Sequence, residues 1–255
     1  MAGRAEPLSR IRFALRVLAI AGSLLVFLPL HYLWRLFRAP SPWPRAFLKW
    51  VGTAAGMRVT IRGTPLTRNV LFLANHVSWL DIMILAGASG AAFVAKAEIR
   101  RWPVVGWLAG LNDTVYVERS DRKNVRGQAD ALRTALTTGR PVALFPEGTT
   151  EGGHAVLPFR ASLLASLFPP LPGILVQPVA IYYRAAVGDI AWLGEEPAGT
   201  NAKRVLSRRG TIPVVVSFLE PVDPAAAGDR KALASAAQAE VEAALGASSE
   251  GAAPL

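Results

Sequence analysis

From Arg58 onward the chain alternates short apolar runs with stretches of helical period, and this alternation most narrows the folds open to it. Residues 59–61, 70–74, 92–95, 114–117, 142–145, 174–183 and 212–219 are short apolar runs that read as strands. Several are apolar on both faces, as strands must be when helices cover both sides of a parallel sheet. Residues 79–86, 104–111, 121–138, 159–168 and 230–245 carry helical periodicity, and Gly139-Arg140-Pro141 stops the third of these. The pattern predicts an α/β domain over residues 58–246, with a mostly parallel central sheet flanked by helices. A disordered tail is expected at 247–255.

Residues 1–57 have a different texture and predict membrane-anchoring helices. Residues 17–34 carry no charged side chain. As a helix they measure about 27 Å, against about 30 Å of bilayer hydrocarbon. Pro29 is expected to bend the segment. Its flanks are basic on both sides (Arg10, Arg12 and Arg16, then Arg35 and Arg38), so the positive-inside rule gives no orientation. Two geometries fit: a spanning helix, and a helix or bent hairpin in one leaflet with both basic ends at one anionic surface. Residues 44–51 follow as a short amphipathic helix with Phe47, Leu48 and Val51 on its apolar face. A signal peptide fits less well, because the apolar part is long and no small-residue cleavage pattern follows it. The expectation is a retained anchor at residues 11–37, on the cytoplasmic face of the cell membrane.

The net charge of +10 gathers at this end: residues 1–60 hold nine arginines and lysines against Glu6 alone. Leucine, valine, phenylalanine and tryptophan interleave with these cations. That mixture suits the bilayer and its anionic lipids, whereas a nucleic-acid arm would be polar and flexible. The chain has no cysteine, which excludes disulfides, thiolate metal sites and a cysteine nucleophile. Its three histidines (His31, His76 and His154) are scattered, so neither a zinc site nor any other metal or cofactor is expected.

Asn75-His76-Val77-Ser78-Trp79-Leu80-Asp81 directly follows the apolar run 70–74. A histidine there is suited to accept a proton, and a carboxylate on one ring nitrogen fixes its tautomer and stabilises the imidazolium. The plainer reading is a turn in which Asn75 or Ser78 caps a helix and Asp81 adds first-turn charge. Three more segments lie where α/β folds place ligands. Phe145-Pro146-Glu147-Gly148-Thr149-Thr150 forms a tight turn able to present N–H groups to an anion. Arg119 ends Val115-Tyr116-Val117-Glu118-Arg119 just past a strand, as a donor for phosphate or carboxylate or as the partner of Glu118. Val176-Gln177-Pro178-Val179 is apolar and is expected to line an acyl pocket.

Taken in order, these segments resemble the four blocks of the 1-acylglycerol-phosphate acyltransferase family, the lysophosphatidic acid acyltransferases. Asn75-His76 with Asp81 is similar to the first block, and Lys96, Glu98, Pro103 and Gly106 on to Arg119 to the second. Phe145 to Thr149 is similar to the third and 176–179 to the fourth. The resemblance implies acyl transfer from acyl-CoA or acyl carrier protein, a co-substrate, to a lysophospholipid hydroxyl. His76 would be the general base and Asp81 its orienting carboxylate. Asn75, Ser78, Lys96, Arg119, Glu147, Gly148 and Thr149 would serve the acceptor, and N–H groups near Gly148 the thioester oxyanion. Many phosphate-binding members carry an arginine after the third block, where this chain has Thr150. Asn112 stands where a glycine is common. The expected acceptor is 1-acyl-sn-glycerol 3-phosphate, with lyso-ornithine lipid the alternative. Outside enzymes, an anionic-lipid-binding protein without catalysis is the competing reading.

Overall fold

The computed structural model describes residues 5–117 and 125–250. In chain order the elements are α1 (Ala5–Arg35), α2 (Trp43–Ala54), β1 (Met57–Arg62), β2 (Val70–Ala74), α3 (Leu80–Ser89), β3 (Ala92–Lys96), α4 (Val105–Leu111), β4 (Val115–Val117), α5 (Val125–Thr137), β5 (Val142–Leu144), β6 (Leu175–Tyr182), α6 (Val187–Ile190), α7 (Ala198–Ser207), β7 (Ile212–Phe218) and α8 (Arg230–Glu250). All the predicted strands form, in one seven-stranded sheet ordered β1-β7-β6-β2-β5-β3-β4. Every neighbouring pair is parallel except β6 with β7. The strands β6, β2, β5, β3 and β4 therefore end along one edge.

Alternation along the strands splits the core in two. Val70, Phe72 and Ala74 of β2 face one side with Leu80, Ile84 and Leu85 of α3 and Val205 of α7. Leu71 and Leu73 face the other, with Leu132 and Leu136 of α5 and Leu233 and Val241 of α8. All five β2 side chains are buried, which is why that run shows no polar alternation.

Three expectations change. Residues 159–168 do not form an α-helix; Ala161–Leu167 is a 3₁₀ helix, between Pro158 and Pro169-Pro170, which limit its extension. Helix α8 runs through Gly246 to Glu250, so the tail expected from 247 is helical as far as the described residues go. A glycine stops a helix when it turns left-handed, and Gly246 does not. Pro29 lies inside a continuous α1 of 31 residues, so no hairpin forms within residues 17–34. The turn comes after Arg35, and α2 packs on α1 through Phe27 and Phe47, whose ring centroids are 5.8 Å apart.

Helix α1 also docks on the α/β domain at its other end. Arg12 Nε donates to the Ser207 carbonyl at 3.1 Å, and Arg16 Nη1 to those of Val205, Leu206 and Arg208 at 3.3, 3.1 and 3.2 Å. These carbonyls close α7, where the helix leaves acceptors unfilled and its dipole favours cations. The opposite face of α1 is apolar and exposed at Leu8, Ile11, Leu15, Leu18, Leu25 and Leu33. Residues 7–35 are long and apolar enough to cross a membrane.

Candidate active site

The loop leaving β2 carries the central pair. His76 Nδ1 lies 2.8 Å from Asp81 Oδ2. A hydrogen bond to a carboxylate requires the proton on Nδ1, and in the neutral ring that tautomer leaves Nε2 as the proton acceptor. Asp81 is fully buried in the first turn of α3, and His76 keeps 17% of its side chain exposed. Asp81 Oδ2 also accepts the N–H groups of Val77 and Ser78 at 2.7 and 2.9 Å. Its other oxygen accepts the Tyr183 hydroxyl. Burial first, and then Asp81, raises the Tyr183 pKa well above its ordinary value, so the phenol stays a donor. The His76 ring stacks on Phe145, with centroids 4.0 Å apart and planes 10° apart, and Phe145 stacks in turn on Phe93 at 6.0 Å.

The Phe145–Thr149 turn is stitched to the same backbone. His76 N–H donates to Glu147 Oε1 at 2.9 Å, and the His76 carbonyl accepts the Glu151 N–H at 2.9 Å. Glu147 Oε2 takes the Leu157 N–H at 3.3 Å. Glu147 is 2% exposed, and burial pushes its pKa up to about 7 against the pull of these two N–H donors.

The sequence-predicted residues divide by what they touch. His76 and Asp81 meet as expected. Asn75 is buried, and its amide exchanges two bonds with Ile181, Nδ2 to the carbonyl at 3.0 Å and Oδ1 from the N–H at 2.8 Å. It thus extends the β2–β6 ladder, with both ends of its amide engaged. Ser78 is buried, its N–H on Asp81 and its Oγ facing the Leu80 N–H at 3.5 Å. Thr149 is exposed at the turn, and Lys96 is exposed at the end of β3, two strands from β2. The Gly148 N–H bonds the Phe145 carbonyl at 3.1 Å, so the turn itself uses that donor. Arg119 lies outside the described residues.

The fourth block is not among the walls of the apolar cavity. It lies inside β6, where Gln177 Nε2 donates to the carbonyls of Thr64 and Leu219 at 3.0 and 2.8 Å and Oε1 accepts the Leu66 N–H at 3.0 Å. Asn112 is likewise a clamp, donating to the Ala91 carbonyl at 3.1 Å and accepting from Arg140 at 3.2 Å. The apolar cavity is built elsewhere. It has about 410 Å³ and is walled by Leu24 and Phe27 of α1, Phe47 of α2, Met83 of α3, Phe93 of β3 and Trp102. Phe93 links it through Phe145 to the His76 ring. The sequence gives no local sign of this cavity, because its walls come from distant segments. Tyr183 was also missed, lying 102 residues from the carboxylate it touches.

A family model described as "Acyltransferase" matches residues 58–182. The lyso-ornithine lipid O-acyltransferase of Rhodobacter capsulatus is 35% identical, over 93% of this chain and 91% of that protein. The 1-acyl-sn-glycerol-3-phosphate acyltransferase of Neisseria gonorrhoeae is 35% identical over 64% of each chain. The crystal structure of the lysophosphatidic acid acyltransferase PlsC from Thermotoga maritima superposes with a TM-score of 0.66, at 24% identity over 99% of this chain and 98% of that one. The geometry and these likenesses agree, and the chain belongs to the lysophospholipid acyltransferase family that includes the 1-acyl-sn-glycerol-3-phosphate acyltransferases and the lyso-ornithine lipid O-acyltransferases.

Proposed function

We propose that this protein moves a fatty acyl group from acyl-CoA or acyl carrier protein to the free hydroxyl of lyso-ornithine lipid. The observation that carries the chemistry is the His76–Asp81 pair, with Nδ1 held 2.8 Å from the carboxylate, so that Nε2 of the neutral ring is the proton acceptor. His76 Nε2 takes the proton of the acceptor hydroxyl as its oxygen attacks the thioester carbonyl. The tetrahedral intermediate expels the thiolate, and the imidazolium returns the proton to sulfur. Asp81 stabilises the imidazolium between these steps. Such a base contributes about 10²–10⁴-fold in rate. The apolar cavity takes an acyl chain, and the reaction as written uses no metal or cofactor.

The choice of acceptor rests on similarity running nearly end to end with lyso-ornithine lipid O-acyltransferases. Lysophosphatidic acid, placed first by the family blocks alone, is the second reading, favoured by the Neisseria relative. Helix α1, docked on the domain at Arg12, Arg16 and Phe27, would lie along the cytoplasmic leaflet with its apolar face in lipid. The test is purified protein in detergent with a panel of lysolipids and both donor types, the product identified by mass spectrometry. Ornithine lipid as the dominant product supports the reading. Phosphatidic acid alone gives the second reading, and thioester loss with no acylated lipid rejects both.

A further inference from the structure

Thr150 occupies the position after the third block, and its hydroxyl donates to the Trp192 carbonyl. That side chain fastens the loop to residue 192 and brings no charge to the site. A cation from elsewhere comes to the same turn. Arg160 N–H bonds the Pro146 carbonyl at 2.9 Å, and its guanidinium lies against Gly148. A Cβ at Gly148 would stand 3.2 Å from both Cζ and Nη1 of Arg160 and 3.3 Å from Nε. Glycine is favoured there by its φ of +78°, and its bare Cα leaves the guanidinium room to lie close.

The Arg160 guanidinium is exposed to solvent and makes no hydrogen bond or ion pair among the described residues. The nearby acids do not neutralise it. Both oxygens of Glu147 are turned inward to the N–H groups of His76 and Leu157, and Glu151 Oε2 accepts the Gly153 N–H at 2.6 Å. An unneutralised guanidinium thus sits against the turn that grips the backbone of His76. Its planar fork matches the two oxygens of a carboxylate or phosphate.

We propose that Arg160 binds the anionic group of the acceptor's head, supplying from residue 160 the cation that position 150 lacks. The shared chemistry is a doubly oxygenated anion: the ornithine carboxylate of lyso-ornithine lipid, or the phosphate of lysophosphatidic acid. The assignment rests on the acceptor reading above.

The test compares wild type, Arg160→Gln and Arg160→Lys on lyso-ornithine lipid, its carboxyl methyl ester and lysophosphatidic acid, with acyl-CoA as donor and melting temperature as the check on folding. Arg160→Gln should raise KM for the anionic acceptor used by wild type by roughly tenfold to a hundredfold, the worth of a charge-assisted hydrogen bond. KM for acyl-CoA should stay near that of wild type. On the methyl ester the two enzymes should match, because the anion is gone. Arg160→Lys should recover part of the loss, since it keeps the charge without the fork. Which anionic acceptor shows the effect tells carboxylate from phosphate. An equal penalty on the methyl ester, or a rise confined to the KM of acyl-CoA, would overturn the assignment. Wild type that turns over both anionic acceptors with Arg160→Gln indistinguishable from it would overturn the assignment alone. Wild type that acylates neither would overturn the acceptor reading and the assignment together.

Discussion

Two carboxyl groups are buried against the same histidine, one in the first turn of α3 and one in the turn after β5, and their surroundings differ. Asp81 accepts the imidazole, two backbone N–H groups and a phenol. Glu147 accepts two backbone N–H groups and has neighbouring acids in place of a cation, and its pKa rises to about 7. Depth does not separate them, since both are nearly or fully inaccessible. The donors do. Asp81 is equipped to stabilise a positive imidazole, whereas Glu147 fastens its own turn to the loop after β2.

The largest effect should follow from removing the charge at the better-served site. Asp81→Asn should lower kcat by about 10³–10⁴-fold, because the imidazolium loses its stabiliser and the tautomer its anchor. A loss under about tenfold would show that the two carboxyls are closer in role than their donors suggest. Tyr183→Phe comes next. It leaves one Asp81 oxygen buried without a donor, at a cost of about 1–3 kcal/mol in stability. The measurements are a melting curve in detergent and steady-state kinetics, with kcat expected to fall about tenfold, the change that 1.4 kcal/mol brings.

The smallest effect sharpens the contrast at Glu147. Its pKa is about 7 in the folded chain against an ordinary 4.5. Between those values the unfolded chain has released the proton and the folded chain retains it. Stability therefore falls as pH rises from about 4.5 to about 7, then levels off. Glu147→Gln should flatten that part of the curve of melting temperature against pH. An unchanged slope would mean that another group titrates there.

What could be read from the sequence follows the same division. The strands were legible because buried parallel strands are apolar on both faces, as β2 is throughout. His76 and Asp81 were legible because they lie five residues apart, in the loop after β2 and the first turn of α3. Helix α7 was not predicted, its helical face being broken up by lysine, arginine and asparagine in Ala198–Ser207. Nor was Tyr183, whose signal is only one phenol at the end of an apolar run. Gln177 was misjudged along with its apolar neighbours, because a buried amide that ties three backbone groups together looks from sequence like part of a pocket wall. The cavity and the approach of Arg160 to Gly148 depend on segments that only the fold brings together.

The central claim is that His76 takes the proton from the acceptor hydroxyl, and the most direct measurement is acyl transfer to lyso-ornithine lipid and lysophosphatidic acid by His76→Ala. With the product quantified by mass spectrometry and folding checked by its melting temperature, the account predicts loss of about 10²–10⁴-fold in kcat on whichever acceptor wild type uses. A folded His76→Ala protein with wild-type turnover would contradict it.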